Sequence, residues 1–290
     1  MTARRRITDP GAFFACAAAI ALVVLFLVLP LAEVYAEALS HGLNAVWQAI
    51  IDPDALGALK LTLLIAAIVV PINTIGGLAA AWCIARFDFK GRALLTTLIE
   101  LPLSVSPVIS GLVWVLLFGA QGWLGPFLAA HDIQIVFAFP GLVLATLFVT
   151  FPLVARQLLP ILQEIGLDEE EAAITLGATG LGVWWNVTLP NLRWALLQGV
   201  LLCNARAMGE FGAVSVVSGH IPGLTNTMPL QIEALFNGFQ AQAAFSVAAL
   251  LSLLALLTLA ARALIEWRSA RPLDAADTAI VPTLMVAAAE

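Results

Sequence analysis

Charge is scarce in this 290-residue chain: Asp, Glu, Lys and Arg make up 11% of it and apolar residues 61%. That balance lies outside the soluble range and marks a membrane protein. No basic patch is present on which nucleic acid would bind. Cys16, Cys83 and Cys203 all fall in apolar runs, where a thiol is a small buried hydrophobe rather than a disulfide or metal ligand. His41, His131 and His220 lie between the runs, no run holds a pair of Asp, and H-E-x-x-H is missing. No catalytic residue and no metal site at membrane depth is therefore expected, which removes an intramembrane enzyme. The phosphate-binding pattern G-x-x-x-x-G-K-[ST] is missing too, so ATP hydrolysis is not expected on this chain.

What the chain has instead is length without charge. Apolar runs at about 13–31, 58–84, 98–119, 136–159, 195–217 and 244–265 are each long enough to cross a bilayer as a helix. Lipid offers backbone groups no partner outside the segment, and the alternation of barrel strands is missing, so the expectation is an all-α integral membrane protein of six helices. The first run follows Arg4, Arg5 and Arg6 but is long and lacks a clear cleavage site, as a retained span does. No internal repeat is visible. Residues 1–12 read as a lead-in, 13–267 as one spanning domain with a loop at about 160–194, and 268–290 as a tail expected to be disordered.

Orientation follows from the basic residues. With six spans, eleven of the thirteen fall on one side: Arg4 to Arg6, Arg86, Lys90, Arg92, Arg156, Arg193, Arg262, Arg268 and Arg271. The positive-inside rule puts that side, both termini and the 160–194 loop in the cytoplasm. On the outer side, the amphipathic segment 230–236 either lies at the interface or faces a soluble partner.

Several polar groups sit inside the runs. Ser104, Ser106 and Ser110 accompany Pro102 and Pro107, where kinks are expected; they either line a polar path or are satisfied within the bundle. Ala205, Gly209 and Ala213 recur every four residues and predict a close helix approach. Arg206 and Glu210 are also four apart and predict an ion pair, since a lone charge at midplane costs roughly 2.5 to 3.5 kcal/mol. The pair, with Asn204, is either structural or an attraction and gate for an anion.

The longest polar interruption runs from Asp168 to Pro190. Four acids, Asp168 to Glu171, open a short helix where its dipole favours negative charge; Gly177 ends it, Gly180 and Gly182 leave the chain free to turn, and Pro190 marks a break before the next run. Such an elbow spans nothing and either docks in a groove of another protein or is an ordinary interfacial loop.

Its spacing is specific. Glu171-Ala172-Ala173, Gly177, Val187 and Leu189-Pro190 resemble the loop of binding-protein-dependent ABC importer permeases that docks on the cytoplasmic ATPase. The run from Asn204 to Gly219 is similar to the W-type membrane subunit of sulfate/thiosulfate importers, and the resemblance extends from about Asp52 to Arg268. It implies a permease bundle in a bacterial inner membrane, with no cofactor of its own. The implied partners are ATPase subunits carrying ATP and magnesium, a second permease of the T type, and an external binding protein. The implied substrate is sulfate or thiosulfate, with molybdate or tungstate the alternative because molybdate permeases share the Arg206–Gly212 core. Moving a dianion inward against about 100 mV costs roughly 4.6 kcal/mol, so another subunit must supply the work. A non-transporting structural membrane protein would explain the spans but not the elbow.

Overall fold

The computed structural model describes residues 10–269, and every regular element among them is helical. Most of the lead-in 1–12 and of the tail 268–290, with Arg4 to Arg6 and Arg271, lies outside the described residues. By contact the chain divides into two compact units, one comprising the chain up to Leu61 with Ile221–Leu253, the other Thr62–His220 with the chain from Leu254 onward.

In the first unit, helices Pro10–Val23 and Leu29–Leu39 are joined through a π-helical turn, Val24–Val28. The Leu29 amide donates to Val24 O, five residues back, immediately before Pro30, which has no amide hydrogen to continue an α pattern. From Phe13 to Ala32 this helix is apolar on every side, and none of its most apolar window is buried within the chain, as suits a span whose surroundings are lipid or another subunit. The helices Leu43–Ile51 and Met228–Asn237 follow their own short apolar stripes. Met228, Ala55, Ala58 and Val247 form this unit's core, and Gln242 Nε2 donates to Ala38 O at 3.3 Å.

The second unit carries the polar sites. The helix Pro53–Arg86 enters it at Thr62 and runs on through Pro71. Its 34 residues rise about 51 Å, more than the hydrocarbon core of about 30 Å is thick. Helices Phe139–Thr150, Pro152–Ile165 and Leu189–Met208 pack around its C-terminal half over a core of Val70, Ala81, Val154, Leu158, Leu162, Leu192 and Cys203. Glycine permits the closest approaches: a Cβ on Gly77 would lie 2.8 Å from Val154 Cβ and 3.0 Å from Ala155 N, and one on Gly199 3.4 Å from Val154 Cα.

The continuity of two expected spans and the expected small-residue face are corrected here. By length and composition, four helices among the described residues could each cross a membrane, or five if a bent pair is one span, so the expected count of six is not confirmed. The bent pair is the expected span 98–119: Arg92–Ser104 and Pro107–Phe118 meet at 108°, because Val105 is extended and Pro107 opens a new helix instead of continuing the old one. The expected span 195–217 is a helix Leu189–Met208, a break, and a short helix Gly212–Val217. The break also dissolves the predicted small-residue face. A Cβ on Gly209 would meet only Ala205 O, at 3.7 Å, whereas one on Gly111 would lie 2.7 Å from Ala213 O. The close approach thus joins the two broken spans, and Ala213 takes part in it from the short helix.

Candidate functional site: the elbow and the two breaks

The elbow begins after Gly166 with helix Asp168–Thr175, whose first turn is wholly acidic. Gly177 closes the helix at φ +91°: its amide donates to Ile174 O (2.9 Å) and that of Ala178 to Ala173 O (3.0 Å), which satisfies two end carbonyls. Thr179 then caps the next turn, its Oγ1 accepting from Gly182 N at 3.2 Å. From Gly180 the chain is helical through to Met208, with a π-helical turn at Trp184–Thr188. Pro190 is therefore no break. The Leu189 amide reaches Trp184 O, five residues back, and Pro190 sits inside the first turn of the following helix, the same device as at Pro30.

Glu171, Ala172, Gly177 and Pro190 are exposed; Ala173, Val187 and Leu189 are half-buried. Around them the elbow presents large apolar side chains to the outside, with Leu176 88% and Leu181 72% exposed, joined by Ile174 and Trp185. Its inner side meets the Pro53–Arg86 helix, where Trp82 and Trp184 stack edge to face at 5.2 Å beside an apolar groove of about 440 Å³ lined by Ile75, Leu78 and Leu181.

The acids of the elbow divide their labour in a way sequence reasoning missed. Glu170, not Glu171, faces inward: its Oε1 accepts from Arg86 Nη2 (2.8 Å) and Nε (3.2 Å) and from the Thr188 hydroxyl (2.9 Å). Glu169 accepts from Asn191 Nδ2. Four consecutive acids carry no sign of which one faces the protein, but a lone basic residue at the end of a long apolar run does announce a partner.

The second group lies at the breaks. A Cβ on Gly212 would lie 2.9 Å from Pro107 Cβ, so the Ser104–Ser106 bend adjoins the Glu210–Gly212 break. Ser104 and Ser106 are exposed there, while Ser110 is buried and donates to Pro107 O at 3.0 Å. Arg206 Nη1 stands 2.6 Å from Glu210 Oε2, though Glu210 lies beyond the helix end. The contact is ionic in distance without a well-directed hydrogen bond at that oxygen. The other oxygen, Oε1, accepts the Ala213 amide at 3.0 Å. Burial is lopsided: the Arg206 side chain is 39% exposed and that of Glu210 1%. Asn204 is half-buried one turn before Glu210's break.

A further buried polar cluster escaped sequence reasoning. Asn73, fully buried, donates to Thr150 Oγ1 at 2.7 Å and approaches Cys203 Sγ at 3.7 Å, tying three apolar helices at depth, and its Oδ1 has no partner. An Asn inside the run 58–84 was the available signal. Among the described residues no group of His, Cys, Asp and Glu is arranged to hold a metal ion.

Comparison with known proteins agrees with this architecture. Residues 72–271 match the family described as binding-protein-dependent transport system inner membrane component. The chain is 50% identical over 253 residues to the sulfate transport system permease protein CysW of Synechocystis sp., covering 87% of this chain and 92% of that one. It is 36% identical over 250 residues to the sulfate transport system permease protein CysT of Salmonella typhimurium, covering 86% and 90%. A chain in the crystal structure of a bacterial alginate ABC transporter in complex with alginate pentasaccharide-bound periplasmic protein has the same fold, with a TM-score of 0.73 at 16% identity over 86% of this chain and 91% of that one. On the family match and this identity, the chain belongs to the binding-protein-dependent transport system inner membrane components.

Proposed function

We propose that this chain is the W-type permease subunit of an ATP-driven sulfate/thiosulfate importer, and that the Asp168–Pro190 elbow couples it to a separate ATPase. The observation that carries the reading is the exposed apolar knob of Leu176, Leu181, Ile174 and Trp185 on an elbow whose acids hold its inner side. A soluble-side surface of this kind needs a partner to cover it. Glu171, Ala172 and Gly177 stand on that exposed side for the partner to read; Ala173, Val187, Leu189 and Pro190 shape it. ATP and magnesium belong to that partner. The greater identity to CysW than to CysT favours pairing with a T-type second permease, and an external binding protein delivers the anion.

Ser104, Ser106, Asn204, Arg206 and Glu210 form the proposed gate, with Ser110 as its internal support. The half-exposed guanidinium offers a dianion one positive charge, while the buried carboxylate keeps that charge in place. In the complex reconstituted with its own binding protein, labelled sulfate is expected to accumulate in an ATP-dependent way and unlabelled thiosulfate to compete. Uptake of molybdate without sulfate would overturn the substrate and leave the permease.

The basic residues Arg86, Lys90, Arg92, Arg156 and Arg193 support a cytoplasmic elbow and cytoplasmic termini by the positive-inside rule. With Cys16, Cys83 and Cys203 replaced, single cysteines introduced by Gly180→Cys and Leu224→Cys are expected to react with an impermeant thiol reagent from opposite faces. Gly180 suits this because a side chain there meets nothing within 4 Å, and Leu224 because it is exposed. Reaction of both from outside contradicts the orientation.

A further inference from the structure

We infer that Arg86 and Glu170 are positioning residues: together they form a latch that makes the elbow helix move as one body with the ends of the long helices, so that movement of the elbow reaches the spans instead of being absorbed in its turns. This rests on the coupling role proposed above.

The Asp168–Thr175 helix has only eight residues, too few to persist by itself in water. No residue of it is fully buried, so apolar packing does not hold it. It is flanked by Gly166 and Gly177, both at positive φ, where the chain can swivel. A lever mounted this way would deflect under load. Polar contacts supply the rigidity. The Arg86 side chain is 6% exposed and that of Glu170 15%, so solvent and salt screen the pair little. Arg86 gives two donors to Glu170 Oε1, and its Nη1 donates to Leu162 O at 3.0 Å. Thr188 donates to the same carboxylate oxygen. One ion pair thereby joins the Pro53–Arg86 helix, the Pro152–Ile165 helix, the elbow helix and the π-helical turn. Each charge also sits where its own helix favours it, Arg86 in a last turn and Glu170 in a first. Glu171, about 100° further round the helix, is left free for the partner.

The test uses the full complex in liposomes, with sulfate uptake and ATP hydrolysis measured on the same preparation. Glu170→Gln and Arg86→Gln are each expected to raise ATP consumed per sulfate imported by about tenfold, with the ATPase still bound; single substitutions alter coupling on that scale. The double variant is expected to be no worse than either single one. A purely structural role lowers the amount of complex and leaves the ratio unchanged, and that result overturns the latch. A second readout needs neither ATPase nor transport. Spin labels at Leu176→Cys and Leu94→Cys are expected to give a narrow distance distribution that broadens in Glu170→Gln; an unchanged width overturns the latch. Failure of the unaltered complex to bind ATPase or import sulfate instead overturns the proposed function, and the label distances then decide the latch alone.

Discussion

Gly177→Val is expected to reduce co-purification of the ATPase by about tenfold or more and to lower sulfate uptake with it, while the protein still inserts in the membrane. Gly177 holds φ +91°, a region that costs a residue with a Cβ about 1–2 kcal/mol, and a β-branched one more. A Cβ would meet nothing within 4 Å, so the penalty is conformational and the core is untouched. Relief of the strain re-aims the chain between Leu176 and Thr179, and with it the two most exposed apolar side chains of the knob, Leu176 and Leu181. About 1.4 kcal/mol of lost complementarity is a factor of ten in affinity. Gly177→Asn, which tolerates positive φ, is expected to fall between glycine and valine. The check is a pull-down of ATPase with each variant at matched expression, followed by uptake. Valine binding as tightly as glycine would show that the turn does not aim the knob.

Arg206→Ala is expected to destabilise the protein by about 3–5 kcal/mol, and more than the double variant Arg206→Ala with Glu210→Ala. The asymmetry of burial sets the direction. With Arg206 gone, Glu210 keeps one hydrogen bond, from the Ala213 amide, and remains 99% enclosed without a counterion. With both gone no charge is stranded. Glu210→Ala alone is expected to be milder than Arg206→Ala, because the guanidinium it leaves behind is 39% exposed and water can reach it. Thermal unfolding of the purified complex in detergent orders the three variants. A double variant as unstable as the sum of the singles would mean that the two residues act independently.

Much of this was legible in the sequence, and what was missed has definite physical causes. Apolar run length announced helices in a membrane, and the i,i+4 spacing of Arg206 and Glu210 announced their pairing. That spacing looks the same whether or not a helix continues through it, so the break after Met208 stayed hidden. Pro102 and Pro107 signalled kinks, but a 108° turn depends on what the freed chain packs against, here Gly212, which is remote in sequence. Pro190 looked like a stop because the interior of an α-helix has no place for it; the π-helical turn just before it leaves it in a first turn, where no amide is needed. The inward face of the elbow depended on helix phase, which the turn at Gly166 sets and composition does not record. Asn73 went unremarked although it is an amide in an apolar run, because its tie to Thr150 joins residues 77 positions apart.

The π-helical turns at Val24–Val28 and Trp184–Thr188 can also be understood as insertions. A π-helical turn is an α-helix with one extra residue, and each α-helical residue advances the chain by about 100° of azimuth. The turn at Trp184–Thr188 therefore sets the angular offset between the knob bearing Leu181 and the downstream stripe of Leu192, Ala195 and Gly199 that faces the core. Loss of a single residue there would shorten the helix by only about 1.5 Å but rotate the knob through more than a quarter of a circle relative to that stripe. In this stretch chain length acts as an angular setting, and an insertion or deletion that every loop would tolerate becomes a change in the direction the subunit faces its partner.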